Sequence, residues 1–336
     1  MKKYFIGIDF SKEKFDASIV MNGNLTDYSH RKFENTLSGC KALVMWIAAE
    51  TGSQREEWLV CGEHTGLYSL ELSEYLVSQS VFMWLEDPSQ IHHCQGIRRE
   101  KTDESDSYEI AKYAFRYQDK ARMYKPLSVR QRRLKILFTY RSSLVAQRTA
   151  LAQSTSELRK VIARDTATRI ISDFTKSLVA RINVIIKKVE KMMIDIINGE
   201  EDMCRNFQLI CSVKGIGLVN AVSFLILTDN FTRITDPRKF ATYAGMAPFE
   251  RSSGTSVYKG IHTSHRAHAG MKALLTEAAR SAINFNPEIK AYYQRKIAEG
   301  KPPRVVVNNV RNKLIQRVFA VVREGVPYSI NYCWAS

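Results

Sequence analysis

Apolar and polar positions alternate through three early runs, "KYFIGIDF", "KFDASIVMNG" and "LTDYSHRKFEN". A period of two, with turn-forming residues between the runs, predicts a meander of three short strands. The period then lengthens to that of a helix, from roughly Thr36 to Ala49. "EEWLVCGE" is a compact apolar run suited to a buried strand, "GLYSLELSEYLVSQS" has helical spacing, and "VFMWLED" is another strand. Helices alternating with strands after an antiparallel start specify an α/β domain with a mixed sheet, placed at residues 1–125.

Beyond Pro126 the pattern changes character. Leu137, Leu144, Leu151 and Leu158 recur every seventh residue, and Leu134, Phe138 and Val145 widen the stripe. Ile171, Phe174, Leu178, Ile182, Ile185, Val189, Met192 and Ile196 follow at alternating spacings of three and four. Two long amphipathic helices are expected over 126–200, packed on each other or on a second copy of themselves. The spacing is compatible with either. A third, mainly helical region, 201–336, opens with "ICSVKGIGLVNAVSFLI". There Lys214-Gly215-Ile216-Gly217 resembles a helix-hairpin-helix turn, in which small residues let backbone amides approach a phosphate. "YAGMAPFERSSGTSVYKG" reads as a loop, and a helical tail is expected to end near Val326-Pro327.

Composition narrows the class. The chain has 336 residues, 45% hydrophobic and 25% charged, within the range of soluble globular proteins. It has no apolar run of the length a membrane span needs, and its N-terminus meets acidic residues before any signal-like block forms. A cytoplasmic protein of the bacterial cytosol or nucleoid, without a membrane partner, is the expectation. The six cysteines form no C-x-x-C pair, so neither a disulfide framework nor a thiolate zinc site is suggested. His92-His93-Cys94 and the His262, His265, His268 series each lack a second cluster at zinc spacing, and read better as polar loop or groove residues.

Charge changes the picture more. Fifty Lys and Arg against thirty-four Asp and Glu give a net +16, which implies a polyanionic partner. The acid is concentrated in front. Residues 1–119 carry 13 basic and 19 acidic residues, a net −6, whereas residues 120–190 carry 17 and 4, a net +13. The rear two thirds therefore supplies the attraction for phosphate. Candidate nucleic-acid contacts are Lys101, Arg132, Arg133, Lys214, Gly215, Gly217, Arg251 and Lys259.

Four carboxylates stand at element ends. Asp9 closes the strand "YFIGID", Glu63 closes "WLVCGE", and Asp103 and Asp106 lie one turn apart on one helix face in "KTDESDSYEIA". Singly, each has an ordinary reading: helix cap, first-turn acid, strand-end turn residue or surface charge. Convergence would require protonation or divalent cations to relieve the repulsion, and hard oxygen ligands favour magnesium.

These segments resemble a known family. Asp9 in "IGIDFSKEKFD", Glu63 in "GEHTG", and Asp103 and Asp106 in "KTDESDSYEIA" are similar to the DEDD tetrad of insertion-sequence transposases of the IS110 type and their relatives, the Piv-type DNA invertases. The similarity resumes at "ICSVKGIGLVNAVSFLILTDNFTRITDPRKFATYAGMAPFERSSGTSVYKG". The family has Glu-Ala-Thr-Gly where this chain has Glu63-His64-Thr65-Gly66. The resemblance implies a RuvC-like ribonuclease H fold at the N-terminus, a long helical coiled-coil middle, and a C-terminal transposase domain carrying a serine nucleophile. That serine falls on Ser253, with Ser252 and Ser256 as neighbouring alternatives. It further implies Mg2+ held by the four acids, donor and target DNA, a noncoding guide RNA, and a homodimer or homotetramer.

Three activities remain distinguishable at this point. A transposase or Piv-type invertase would cut and rejoin DNA through a covalent phosphoserine. A RuvC-like nuclease would use the same acids with water and leave Ser253 idle. A nonenzymatic DNA-binding protein would need neither.

Overall fold

A computed structural model describes residues 2–21, 24–66, 68–94, 102–162, 165–253, 257–263 and 268–329, with backbone alone described for 248–253 and 257–263. The chain divides into two compact units, Met1–Pro126 and Leu127–Ser336.

In the first unit, the strand-forming runs give β1 (Tyr4–Phe10), β2 (Lys14–Met21) and β3 (Asn24–Glu34), an antiparallel meander. Then follow α1 (Leu37–Thr51), β4 (Trp58–Glu63), α2 (Leu70–Ser78), β5 (Phe82–Glu86), α3 (Pro88–Cys94) and α4 (Asp103–Arg116). The sheet order is β3-β2-β1-β4-β5, with β4 parallel to both β1 and β5. Parallel central strands are covered on both faces, which explains why "WLVC" is apolar throughout rather than alternating. On one face Ile6, Ile8, Phe15 and Val60 pack with Leu43 and Ile47 of α1 and Leu72 and Leu76 of α2. On the other, Phe5, Val20, Leu59, Cys61 and Trp84 pack with Ile110, Ala111 and Ala114 of α4.

Helix α4 lies unusually close to the sheet. A Cβ on Gly7 would fall on the Ser107 carbonyl oxygen and the Ala111 nitrogen, so only glycine admits the helix here. Beside it, the buried hydroxyls of Ser18 and Ser107 hydrogen-bond at 2.8 Å. The helix starts where Thr102 accepts from the Ser105 amide and Ser105 returns a hydroxyl contact to the Thr102 amide. Thr102, not Asp103, is therefore the cap; Asp103 occupies the first helical position, where its charge favours the helix N-terminus.

In the second unit, α5 (Val129–Val161) and α6 (Thr166–Asn198) form an antiparallel hairpin. Arg141 Nε meets Glu190 Oε1 at 2.7 Å, Arg148 Nη1 meets Asn183 Oδ1 at 2.9 Å, and Thr155 meets Thr175 at 2.8 Å. The heptad stripe is thus engaged within one chain, and Leu134 and Leu144 are buried. Toward the tip it is not consumed: Leu151, Ile171, Phe174 and Leu178 remain exposed.

The remaining elements are α7 (Glu201–Ser212), α8 (Leu218–Thr228), α9 (Pro237–Tyr243), β6 (Pro248–Ser253), β7 (Val257–Thr263), α10 (Ala269–Phe285), α11 (Pro287–Ala298) and α12 (Pro303–Glu324). Phe224, Phe240, Leu275, Leu314 and Val318 lie in their common core, which also takes in Leu134, Met193 and Ile197 from the hairpin base. Two expectations change. The segment read as a loop is a two-stranded antiparallel sheet, paired from Pro248↔Thr263 to Ser253↔Val257. Val257, Tyr258 and Ile261 gave it strand propensity that its serines and glycines masked. The last helix ends at Glu324, because Gly325 takes a left-handed φ of 69°. Among the described residues, no helix is long and apolar enough to cross a membrane.

Candidate functional site

The sheet register fixes where the acids stand. Ile8 pairs with Gly62 between the parallel strands, so Asp9 and Glu63 are the next residues on adjacent strands at the same end of the sheet. Alternation along each strand puts both on the α4 side, since Phe5 and Gly7 of β1 and Leu59 and Cys61 of β4 face that helix. The close passage of α4 over Gly7 then brings its first turn, with Asp103 and Asp106, toward the same end.

Electrostatics at Asp9 report the outcome. Its carboxyl is pushed up to about 6, first by burial and then by the negative charges of Asp106, Glu63, Asp103 and Asp16. All four sequence-selected acids therefore act within one electrostatic neighbourhood. Countercharges stand beside two of them. Lys14 Nζ lies 3.1 Å from Asp103 Oδ2, and His92 Nε2 lies 3.9 Å from Glu63 Oε1. Among the described residues, no three His, Cys, Asp or Glu side chains are gathered tightly enough to enclose a metal ion as they stand. The donor set still suits a hard cation: it is all carboxylate oxygen, and one member is a desolvated acid that neighbouring negative charge drives toward protonation. A divalent cation relieves that penalty in the same way as a proton.

The sequence reading missed two further acids in this row. Asp16 is the direct cross-strand partner of Asp9 and is buried, with His30 Nε2 at 3.0 Å and Lys32 Nζ at 3.7 Å. Glu86 is the register partner of Glu63 and takes a hydrogen bond from the Tyr113 hydroxyl at 3.3 Å. Asp16, Asp9, Glu63 and Glu86 thus occupy four neighbouring strands in register. Asp16 was accessible in principle, since it breaks the apolar run "KFDASIV" at a position alternating with buried residues. Between Asp103 and Asp106, Glu104 accepts from the Tyr28 hydroxyl at 2.9 Å and ties the first turn of α4 to β3.

The other candidates lie apart in the chain. Arg132 and Arg133 are in the first turn of α5, and Lys214, Gly215 and Gly217 form the turn between α7 and α8. Gly215 has φ 99°, and a Cβ there would meet the Ala278 carbonyl oxygen at 2.7 Å and the Ala282 Cβ at 2.8 Å. Ser253 ends β6, opposite Val257; Ser252 and Arg251 precede it, and Lys259 is on β7. Lys101 and Ser256 lie outside the described residues. His268 is not a ligand but a cap: its Nδ1 accepts from the Met271 amide at 3.0 Å, and burial lowers its proton affinity.

Comparison with known proteins points one way. Residues 6–162 match the DEDD transposase family of the IS110 type, and residues 207–294 match the transposase IS116/IS110/IS902 family. The chain is similar to the pilin gene-inverting proteins of Moraxella bovis and Moraxella lacunata, each 24% identical over 98% of both chains. It is also similar to an uncharacterized 43.6 kDa protein of insertion element IS110 from Streptomyces coelicolor, 29% identical over 120 residues, 36% of this chain and 29% of that one.

Proposed function

Since the chain belongs to the IS110-type transposases, a family of DNA recombinases related to Piv invertases, we propose that it cuts and rejoins DNA through a metal-bearing carboxylate centre and a serine nucleophile. The observation that carries this reading is the raised Asp9 carboxyl, half-buried and acted on by the charges of Asp106, Glu63 and Asp103. The strand order, with an antiparallel meander followed by two parallel strands, supports a RuvC-like ribonuclease H fold.

Asp9, Glu63, Asp103 and Asp106 would hold divalent cations, with Mg2+ as the physiological ion. Such ions would supply positive charge to a phosphate oxygen and to the departing oxygen. Ser253 Oγ attacks the scissile phosphorus and loses its proton; the bond from phosphorus to a deoxyribose oxygen breaks, and that oxygen leaves as a hydroxyl after taking a proton. The phosphoserine ester keeps the phosphodiester energy for the reverse attack by a strand-end hydroxyl. Residues 1–125 serve as the carboxylate domain, 126–200 as an interaction arm and 201–336 as the nucleophile domain. Arg132, Arg133, Lys214, Arg251 and Lys259 meet the backbone of donor and target DNA, and the basic stretch 120–190 is the natural seat of a noncoding guide RNA in a cytoplasmic complex. Because the two pilin gene-inverting relatives align end to end, inversion of a chromosomal segment is the second reading of the same chemistry.

Incubation with a nicked or branched DNA substrate and Mg2+, followed by denaturing electrophoresis, tests the nucleophile. A denaturation-resistant protein–DNA adduct is expected for the native protein and is lost in Ser253→Ala. Cleavage with no adduct in either protein would replace this mechanism by hydrolysis.

A further inference from the structure

The start of α8 faces a cleft of about 420 Å3 whose opposite wall is α6. Lys187, Glu190 and Lys191 line it from α6; Gly217 and Asn220 line it from α8. Several features make this a prepared anion site. Gly217 is the N-cap of α8 and offers no capping side chain, so the first-turn amides lack a side-chain acceptor and keep their partial positive charge for a ligand. A Cβ at Gly217 would meet nothing within 4 Å, so a ligand can come up against the backbone there.

The α6 wall supplies matching charge. Lys187 and Lys191 are one turn apart on the exposed side of α6, and among the described residues neither has an ion-pair partner. Two like charges at this spacing repel unless an anion lies between them. Glu190 does not cancel them, because Arg141 Nε holds its carboxylate at 2.7 Å. Asn220 adds an independent sign. It is nine-tenths buried, lines the cleft, and its Oδ1 has no hydrogen-bond partner. A buried amide end without a partner is costly unless a ligand satisfies it. Rotation of the amide presents the –NH2 group to an anionic oxygen, and the carbonyl end can take a ribose hydroxyl or a lysine ammonium.

The geometry points to a phosphodiester-binding pocket between α6 and α8, gripping one or two backbone phosphates of a nucleic acid through Lys187, Lys191, Asn220 and the α8 amides. The pocket belongs to the nucleophile-bearing unit and is built without any of the four acids. It rests on the recombinase reading only in that the ligand is a nucleic acid.

Anisotropy titrations at several salt concentrations test it, using two probes of arbitrary sequence: a short DNA duplex and a single-stranded RNA. For duplex DNA, each lost phosphate contact lowers the steepness of log K against log salt by about 0.9. The Lys187→Gln/Lys191→Gln double variant should lose between about one and two such contacts and bind several-fold more weakly at low salt. Asn220→Asp, which places a carboxylate at the anion position, should weaken binding at least as much as Asn220→Ala. Lys290→Gln, on α11 and outside both the cleft lining and the basic stretch 120–190, is the control and should change the slope by less than half as much. Melting temperatures within a degree or so of the native protein establish that the variants are folded. A loss confined to the RNA probe, or to the duplex, assigns the phosphate to that strand, and either supports the pocket. Native-like slopes in the double variant, or an equal effect from Lys290→Gln, would overturn it while native binding upheld the recombinase reading. Failure of the native protein to bind either probe would overturn both.

Discussion

At the scale of single residues, Asp9 carries the clearest chemical signature. Its carboxyl holds a proton up to about 6 in the folded chain, against an ordinary aspartate value of 3.8 in the unfolded one. The folded state therefore binds the proton more tightly. Stability from this group is fully present below the ordinary value, declines as pH rises through it, and is gone above about 6. In metal-free protein at about pH 7.5, Asp9→Asn should raise the unfolding free energy by roughly 1–2 kcal/mol, a figure already reduced for solvent screening. Below about pH 4 the difference should vanish. Chemical denaturation at the two pH values measures it, and equal effects at both would show that burial and neighbouring charge are not the cause. The same variant abolishes activity if Asp9 holds the cation, so stability and function should move in opposite directions. The four acids were picked out in the sequence from element ends and a family resemblance, and the register does set Asp9 beside Glu63 at one end of the sheet. Asp16 and Glu86 were not picked out, because their importance lies in cross-strand register, which no spacing along the chain expresses.

At the scale of elements, the placement of Asp103 and Asp106 depends on how near α4 comes to the sheet. Gly7 and the Ser18–Ser107 hydrogen bond set that distance. Gly7→Ala forces backbone against backbone and should cost on the order of 3 kcal/mol, with a weakened response to Mg2+. Gly52→Ala is the comparison: its φ of 56° is left-handed, unlike that of Gly7, but nothing lies within 4 Å of the added carbon, so a cost of about 1 kcal/mol is expected. Thermal melts with and without Mg2+ separate the two, and equal costs would remove the close-packing argument. Strand and helix positions in the first unit followed from periodicity because burial on one or both faces imposes it. The β6–β7 hairpin did not, since Ser252, Ser253, Gly254 and Ser256 look like a loop until strand pairing supplies the missing stabilisation.

At the scale of the whole molecule, the long hairpin answers the choice the heptads left open only in part. Helices α5 and α6 pair within the chain, which accounts for Leu134, Leu144, Ile186 and Val189. Phe174 is 66% exposed and Leu178 47% exposed, too much apolar surface for a solvated face. If a second copy covers this face, Phe174→Glu with Leu178→Glu should lower the mass seen in light scattering to that of a monomer while leaving the melting temperature nearly unchanged. An unaltered mass would place the interface elsewhere. Charge distribution at this scale was readable from composition alone. The change of character at Pro126 was readable too, whereas the joining of the hairpin base to the core of the following helices was not, because the heptad stripe gives no sign of it.

Asp9 and Glu63 project from hydrogen-bonded neighbours, and paired strands stay about 4.8 Å apart by the demands of peptide geometry. The spacing between these two carboxylates is consequently a property of the main chain, while their chemistry belongs to the side chains. Exchange of a carboxylate alters what hangs over the gap without altering its width. Whatever the pair would hold, the room for it is inherited from sheet formation itself, settled when the strands zip together.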